Sequence, residues 1–333
     1  MRDFSRRGVI GLVGGAAAWP LGARAQQPER VRRVGVLMPF VEADQEAQAR
    51  LQAFRQGLAD FGWVKGRNLR NDERWAGPDV VDQRSSARDL VATVPDVIVV
   101  NGTAATLALR DATRTIPIVF AAVSDPVVAG IVANLARPEG NVTGFMLFEN
   151  SLAGKWLSLL KDVAPRLARV ALLFNVDTAA AFAPFYVRAA QEAGERLGLK
   201  IVAVGVRDAT AIEPAIAAMA DSGDGGLLVL PDAFNVVNRS TTIALAAKHR
   251  VPAIYFTGAF AKDGGFISYG ADAKIQYRDC ATYVDRILRG AKPSELPVQF
   301  PTKFELVINL KVAKALGLDV PMSVLGRADE VIE

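Results

Sequence analysis

The sequence predicts an α/β protein built from two lobes, each a doubly wound parallel sheet with helices on both faces. Short apolar runs, typical of strands buried on both faces, alternate with amphipathic helical segments along most of the chain. The alternation runs to about residue 146 and begins again at residue 152. Strands joined by helical crossovers form parallel sheets, and 333 residues are enough for two separate cores.

The first series of elements starts with VRRVGVLM at 31–38, a β-branched apolar run that predicts a buried strand. A helix follows at 45–61, because apolar residues recur there at helical spacing until Gly62. The same reasoning predicts further strands at 68–75, 96–102, 117–123 and 142–146, and further helices at 79–94 and 104–113.

The second series repeats this pattern. It predicts helices at 152–163, 179–197, 209–220 and 236–249, and strands at 169–175, 200–206, 226–232, 251–256 and 265–270. After these, three prolines between residues 291 and 303 favour an extended segment. A final amphipathic helix is expected at 305–316, ending at Gly317.

We assign residues 30–148 together with 271–333 to the first lobe and residues 149–270 to the second. The chain is then expected to cross between the lobes near Asn150-Ser151, near Gly270 and along the proline-rich segment.

Residues 1–25 have the order of a cleavable export signal. The basic pair Arg6-Arg7 precedes an uncharged, Gly- and Ala-rich stretch, and Ala23-Arg24-Ala25 supplies small residues for cleavage after Ala25. The arginine pair resembles a twin-arginine signal. The stretch is a poor permanent membrane anchor, and Gln26 stands where a lipid-anchored protein needs a cysteine. The sequence therefore predicts a periplasmic location.

The charge of the chain gives no indication of a nucleic-acid partner. The formal net charge is +4, but the predicted signal contains four arginines and one aspartate, so the remaining chain carries one net positive charge. A nucleic-acid surface requires a cluster of basic residues interleaved with aromatic ones, and the sequence contains no such cluster. We predict a monomer with a small-molecule ligand.

The usual catalytic patterns are missing from the sequence. His249 is the only histidine and stands at a predicted helix end, and Cys280 is the only cysteine and lies at helical spacing with apolar neighbours. One histidine and one cysteine do not make a typical zinc site, and neither a phosphate-binding loop nor a GxSxG nucleophile motif is present. We predict no enzyme activity, no metal and no cofactor.

Polar and aromatic residues collect where the predicted strands end, which is where ligands bind in open α/β sheets. Each polar residue taken singly fits a helix N-cap, but their shared placement predicts a cleft between the lobes. Asp232 and Asp125 suit a ligand ammonium group, Thr103 and free backbone N–H groups suit a carboxylate, and the aromatic rings suit an apolar side chain. The predicted ligand-binding residues are Phe40, Thr103, Ser124, Asp125, Asn175, Thr178, Asp232, Phe234 and Phe256.

Several segments of the chain resemble the ABC transporter substrate-binding protein family that includes tryptophan- and tyrosine-type binding proteins. The most specific of them are PTKFELVINLKVAKALGL at 301–318 and RADEVIE at 327–333. The strand VGVLM, the Ser124-Asp125-Pro126 turn, NVTGF at 141–145 and LPDAF at 230–234 add to the likeness. The resemblance implies a class I periplasmic-binding-protein fold, with two Rossmann-like lobes that close on a small ligand, and a site at the strand-end loops predicted above.

The resulting hypothesis is a receptor that captures a small molecule, such as an aromatic amino acid or a related compound. It would present this ligand to the permease of an inner-membrane ABC importer after hinge closure. A ligand-sensing module for a membrane receptor uses the same fold and is the first alternative. A secreted enzyme on the same scaffold is the second, and the missing catalytic residues disfavour it.

Overall fold

The computed structural model describes residues 30–148, 151–221 and 223–333, and these form two lobes, each built on one sheet. The predicted export signal, residues 1–25, lies outside the described residues. Within the described residues, no helix is long and apolar enough to cross a membrane.

The first lobe is a five-stranded parallel sheet with helices on both faces, as predicted. Its strands are β1 (Arg32–Met38), β2 (Leu69–Trp75), β3 (Val97–Asn101), β4 (Ile118–Val123) and β5 (Val142–Met146). Its helices are α1 (Gln45–Asp60), α2 (Val80–Ala92), α3 (Thr103–Ala112) and, from later in the chain, α10 (Ala273–Leu288). Helices α2 and α3 pack against one face of the sheet, and α1 and α10 pack against the other.

The second lobe is a seven-stranded sheet. Its strands are β6 (Arg169–Asn175), β7 (Lys200–Val206), β8 (Gly225–Val229), β9 (Ala253–Tyr255), β10 (Ile267–Ala271), β11 (Phe304–Asn309) and β12 (Glu330–Ile332). Its helices are α4 (Leu152–Val163), α5 (Ala183–Leu197), α6 (Ile212–Ala220), α7 (Ala233–Val237), α8 (Arg239–Lys248), α9 (Gly258–Lys262), α11 (Leu310–Leu316) and α12 (Met322–Leu325). All paired strands are parallel except β10 and β11.

The strand order places a topological switch point in each sheet. The order is β2-β1-β3-β4-β5 in the first sheet and β12-β11-β10-β9-β8-β6-β7 in the second. The direction of winding therefore reverses between β1 and β3 and again between β6 and β8. The loops that follow these four strands diverge there and leave a crevice, which is where doubly wound sheets bind ligands.

The C-terminal segment differs from the sequence prediction. Where a helix was expected at 305–316, β11 pairs antiparallel with β10, and α11 begins only at Leu310. The residues FELVIN are partly β-branched and become buried as a strand, and the Asn309 side chain then accepts a hydrogen bond from the Val312 N–H and caps the helix. The helix ends at Gly317, as predicted, and Gly317 adopts the left-handed conformation.

This segment also changes the lobe boundaries. Residues 271–333 were assigned to the first lobe. Helix α10 and residues 293–299 do pack there, whereas β11 and β12 extend the sheet of the second lobe. The prediction for this segment was wrong because the antiparallel pairing of β11 with β10 depends on a long-range contact that local spacing does not reveal. Smaller differences are that the single helix expected at 236–249 is replaced by α7, which already begins at Ala233, and α8, and that α5 begins at Ala183.

Three connections join the lobes, close to the predicted crossings. They follow β5, link β10 to α10, and run from α10 to β11 beside β5, where the backbone of Gln299 bonds to Gly144 and Met146. At the second crossing Gly270 has no room for a side chain, because a Cβ atom there would lie 1.8 Å from the carbonyl oxygen of Phe256. The crossing thus packs backbone against backbone.

Candidate ligand-binding cleft

A cleft opens between the lobes at the switch points of both sheets. It contains about 450 Å³ of empty space, including its opening to solvent. The first lobe contributes Pro39, Phe40, Arg50, Gln83, residues 101–105, Ala122 and Leu147 to the lining. The second lobe contributes Thr178, Phe182, residues 231–233, Val236 and Phe256.

Arg50 is the cation in the wall of the first lobe. It lies on the buried face of α1 and is 3 % exposed. Its Nε lies 3.4 Å from the Glu46 carboxylate, and its guanidinium carbon lies 5.4 Å from the centre of the Phe40 ring. Among the described residues, neither terminal nitrogen of Arg50 has a hydrogen-bond acceptor in bonding geometry.

The N-terminus of α3 lies in the same wall. Gly102 precedes the helix in a conformation with φ 78° and has no side chain to cap it. Within the described residues, the backbone N–H groups of Thr103, Ala104 and Ala105 have no acceptor, as expected for an uncapped first turn. These N–H groups and the positive end of the helix dipole therefore face the cleft.

Two side chains beside this helix are arranged so that they donate hydrogen bonds into the cleft. The Thr103 hydroxyl accepts a bond from the Ser124 N–H at 3.2 Å, which leaves its own hydrogen free to donate. The Asn101 carbonyl oxygen accepts a bond from the Tyr277 hydroxyl at 3.1 Å, which leaves its amide NH₂. Strand β4 is irregular at Ala122, where φ is 53°, and this shifts the backbone that forms the floor of the cleft.

Asp232 is the anion in the wall of the second lobe, at the N-cap of α7. One carboxylate oxygen accepts a bond from the Asn235 N–H at 2.7 Å. The other accepts one from the Asn175 N–H at 3.1 Å, across the switch point, and one from the Asn235 side-chain amide at 3.3 Å. Burial raises the pKa of Asp232 to about 7, although these backbone N–H groups favour its charged form. The carboxylate is therefore poised to ionise fully when a cation binds beside it.

Asn175 shapes the neighbouring turn. Its side-chain oxygen accepts hydrogen bonds from the N–H of Asp177, the N–H of Thr178 and the Thr178 hydroxyl, at 3.0, 2.9 and 3.2 Å. Its amide nitrogen donates to the carbonyl oxygen of Arg207 at 2.9 Å. Because the Thr178 hydroxyl donates its hydrogen to Asn175, the Thr178 oxygen faces the cleft as an acceptor.

Apolar side chains line the remainder of the cleft. Phe40 comes from the first lobe, and Phe182, Val236 and Phe256 come from the second. The four side chains are buried, and Phe256 is held by the ring of Phe260 at a centroid distance of 5.5 Å. Rings on both walls are suited to enclose a flat or apolar ligand group.

An ion pair joins the two lobes beside the cleft. Arg239, at the start of α8, lies 2.5 Å from the carboxylate of Asp44, the N-cap of α1 in the opposite lobe. Arg239 also pairs with Asp263 at 2.7 Å and donates to the carbonyl oxygen of Val236, a residue of the lining. Among the ion pairs of residues 30–148, 151–221 and 223–333, this pair, which we call the clasp, joins the two lobes.

Five of the nine predicted ligand-binding residues line the cleft, and four do not. Phe40, Thr103, Thr178, Asp232 and Phe256 line it. Ser124 and Asn175 lie behind the wall, where they position Thr103 and Thr178. Asp125, with φ 39°, uses its carboxylate to accept from the Val128 N–H, and Phe234 packs into the core beneath α7. A strand-end position therefore does not ensure that a side chain reaches the cleft, and direct ligand contact by these residues stays a prediction.

The sequence reasoning missed Arg50, Gln83 and Phe182. A signal for Arg50 was present, because it stands at helical spacing between Ala47 and Phe54 on an otherwise apolar face of α1. A charge on a buried face needs a partner and marks a candidate site. Phe182 was placed inside a predicted helix, whereas it precedes α5 and turns toward the cleft.

The remaining candidate groups lie away from the cleft. Cys280 is buried in α10, as predicted, and burial raises the pKa of its thiol well above the usual range. His249 ends α8 and lies 3.1 Å from Glu213. Within the described parts of the chain, no group of three or more metal-ligating side chains is assembled.

Comparison with known proteins identifies the family. The model of the ABC transporter substrate-binding protein family matches residues 33–332, which includes both lobes and the cleft. The chain belongs to this family. Members of the family bind small molecules and deliver them to ABC permeases, and the two parallel-sheet lobes form the class I periplasmic-binding-protein fold.

Two of the similar proteins bind an aromatic amino acid, and a third is a ligand-free, open structure. A tyrosine-binding protein from Clostridioides difficile is 26 % identical over 269 residues, which is 80 % of this chain and 76 % of that protein. A Streptococcus pneumoniae domain in complex with L-Trp is 25 % identical, with a TM-score of 0.81 over 90 % of this chain and 99 % of that one. The ligand-free, open structure of a Clostridium difficile substrate-binding protein with adhesive properties is also 25 % identical, with a TM-score of 0.66 over 91 % and 99 % of the two chains.

Proposed function

We propose that the chain is the periplasmic receptor of an ABC importer, which captures a small molecule and presents it to an inner-membrane permease. The observation that carries this proposal is the cleft, which combines the switch points of two separate sheets into one site. The proposed activity is binding without catalysis, and the proposed state is a monomer.

The proposed ligand is an aromatic amino acid or a related compound. Phe40, Phe182 and Phe256 offer ring surfaces from both lobes, and Arg50 and Asp232 offer one positive and one negative charge. The ligands of the clostridial and streptococcal relatives, tyrosine and L-Trp, belong to the same chemical class.

The proposed mechanism is closure of the lobes on the ligand. At equal sequence identity, the chain is more similar to the L-Trp complex than to the open, ligand-free relative, which supports a closed arrangement of its lobes. Closure is favoured only to the extent that the closed state binds the ligand more tightly than the open one.

Calorimetry and thermal unfolding of the chain from Gln26 onward test the ligand class. We expect L-Trp, L-Tyr or L-Phe to bind, and a ligand at a hundred times its Kd to add about 2.7 kcal/mol to the free energy of unfolding. D-arabinose and myo-inositol serve as neutral control ligands. Small-angle scattering should show a monomer whose radius of gyration falls on binding. Binding of a control sugar in place of the amino acids would refute the proposed ligand class.

Cell experiments test the importer role and the location. Deleting the gene should abolish uptake of the labelled ligand and leave uptake of an unrelated solute unchanged, and the protein should fractionate with the periplasm. Intact uptake together with loss of a ligand-dependent response would support the sensing alternative.

A further inference from the structure

We propose that the cleft binds the two ends of an α-amino acid on different lobes. Arg50 and the first turn of α3 bind the ligand carboxylate, and Asp232 binds the ligand ammonium group. This inference rests on the proposed function and adds to it the groups that a ligand must carry and the direction in which it lies.

The carboxylate site is indicated first by the incomplete pairing of Arg50. An arginine that is only 3 % exposed is costly to bury unless acceptors face its N–H groups. Glu46 satisfies Nε, whereas the two terminal nitrogens have no acceptor among the described residues. A planar carboxylate matches two guanidinium N–H groups at once, so a ligand carboxylate would complete the pairing.

The rest of this wall has the same donor character. The uncapped N–H groups of α3 are donors by nature. The Thr103 hydroxyl and the Asn101 amide also donate, because their oxygens already accept bonds within the protein. The carbonyl oxygen of Gln83 also has no partner, but it is enclosed and does not reach the open space. A helix N-terminus together with a buried arginine whose terminal nitrogens have no protein acceptor favours an anionic group over a hydroxyl.

The opposite wall has acceptor character. Asp232 accepts three bonds, from the Asn235 and Asn175 backbone N–H groups and from the Asn235 side-chain amide, and a carboxylate can accept about four. The Thr178 oxygen faces the cleft because its hydrogen is donated to Asn175. Arg50 and Asp232 are the two charged residues of the lining, one on each lobe. An α-amino acid carries one carboxylate and one ammonium group, so it matches both walls at once.

Calorimetry with matched ligands and variants separates the two subsites. The ligands are L-Trp, tryptamine, which lacks the carboxylate, and indole-3-propionate, which lacks the ammonium group; the corresponding tyrosine analogues apply if L-Tyr binds more tightly. Arg50→Gln should weaken binding of L-Trp and indole-3-propionate roughly 10- to 100-fold and leave tryptamine binding nearly unchanged. Arg50→Lys keeps the charge without the planar fork and should give a smaller loss. Asp232→Asn should weaken L-Trp and tryptamine and spare indole-3-propionate.

Arg55→Gln is the control variant, because Arg55 lies on the same helix, pairs with Glu73 at 2.6 Å and does not line the cleft. It should bind all three ligands as the unaltered protein does. Unchanged affinity of Arg50→Gln or Arg50→Lys for L-Trp, or an equal loss for L-Trp and tryptamine, would overturn the carboxylate assignment and leave the proposed function standing. If the unaltered protein binds a neutral sugar and no aromatic amino acid, the proposed ligand class fails as well.

Discussion

The clasp between Arg239 and Asp44 provides a direct test of lobe closure. Asp44 has two roles: one carboxylate oxygen caps α1 by accepting from the Ala47 N–H at 2.8 Å, and the other pairs with Arg239. Asp44→Ser retains a good N-cap but removes the charge. This variant therefore loses the contact between the lobes and keeps the start of the helix.

The expected effect follows from the burial of the pair. The two side chains are 14 % and 7 % exposed, so the pair is screened less than a surface ion pair, which contributes below about 1 kcal/mol. Hydrogen bonds to charged groups contribute about 1.5–3 kcal/mol, but both groups regain water when the cleft opens. We expect a net loss of about 1–2 kcal/mol from the closed state. If the free protein is mostly open and the bound protein closed, this loss appears in the affinity as a roughly 5- to 30-fold higher Kd.

Titration calorimetry at low and high salt measures this effect. The variant should bind more weakly, and its Kd should depend less on salt, because the screened pair is absent. Asp60→Ser is the matched control: Asp60 ends the same helix and pairs with Arg278 at 2.9 Å within the first lobe, so closure does not change that pair. An unchanged Kd in Asp44→Ser, or an equal change in Asp60→Ser, would show that the clasp does not stabilise the closed state.

Three further outcomes are expected. Because burial raises the pKa of Asp232 to about 7 and an ammonium ligand requires its charged form, affinity for an amino acid should fall roughly tenfold between pH 8 and pH 6. Asp232→Asn should remove this dependence, and a persistent slope would assign it to another group. Gly270→Ala should lower the free energy of unfolding by at least about 1–3 kcal/mol in denaturant titrations, because its Cβ would meet a carbonyl oxygen at 1.8 Å. Gly258→Ala, which meets nothing closer than 3.4 Å, should be nearly neutral, and equal stabilities would contradict the packing at the crossing. Replacing Arg6-Arg7 by two lysines should reduce periplasmic accumulation in cell fractions, and undiminished accumulation would indicate the general secretory route.

The sequence was sufficient to predict the two lobes because their signals are local. Buried parallel strands read as apolar runs, and strands such as β6 and β7 begin and end at the predicted residues. The C-terminal segment failed because it is decided by a distant partner. FELVIN and the residues after it carry apolar side chains compatible with either helix or strand, and only the exposed edge of β10 selects the strand.

The position of the cleft was also predictable, because strand ends are local features of the sequence. Strand ends identify the cleft, but they do not say which side chains reach it, and Asn175 shows the difference: its side chain faces inward and positions Thr178. Arg50 lies within a helix, so a search of strand ends passes over it. The useful signal there is a charge that breaks an apolar helical stripe.

The distribution of hydrogen-bonding groups connects the site to the proposed closure. The wall of the first lobe presents donors, and the wall of the second presents the Asp232 carboxylate and the Thr178 oxygen as acceptors. A ligand that bears only one of the two charges satisfies one wall and leaves the buried group on the other without a partner. A zwitterion satisfies both, and it does so only when the lobes are together. If the proposed closure occurs, the differential binding that drives it therefore requires both charges on one molecule. The clasp adds a ligand-independent contribution at the edge of the same cleft.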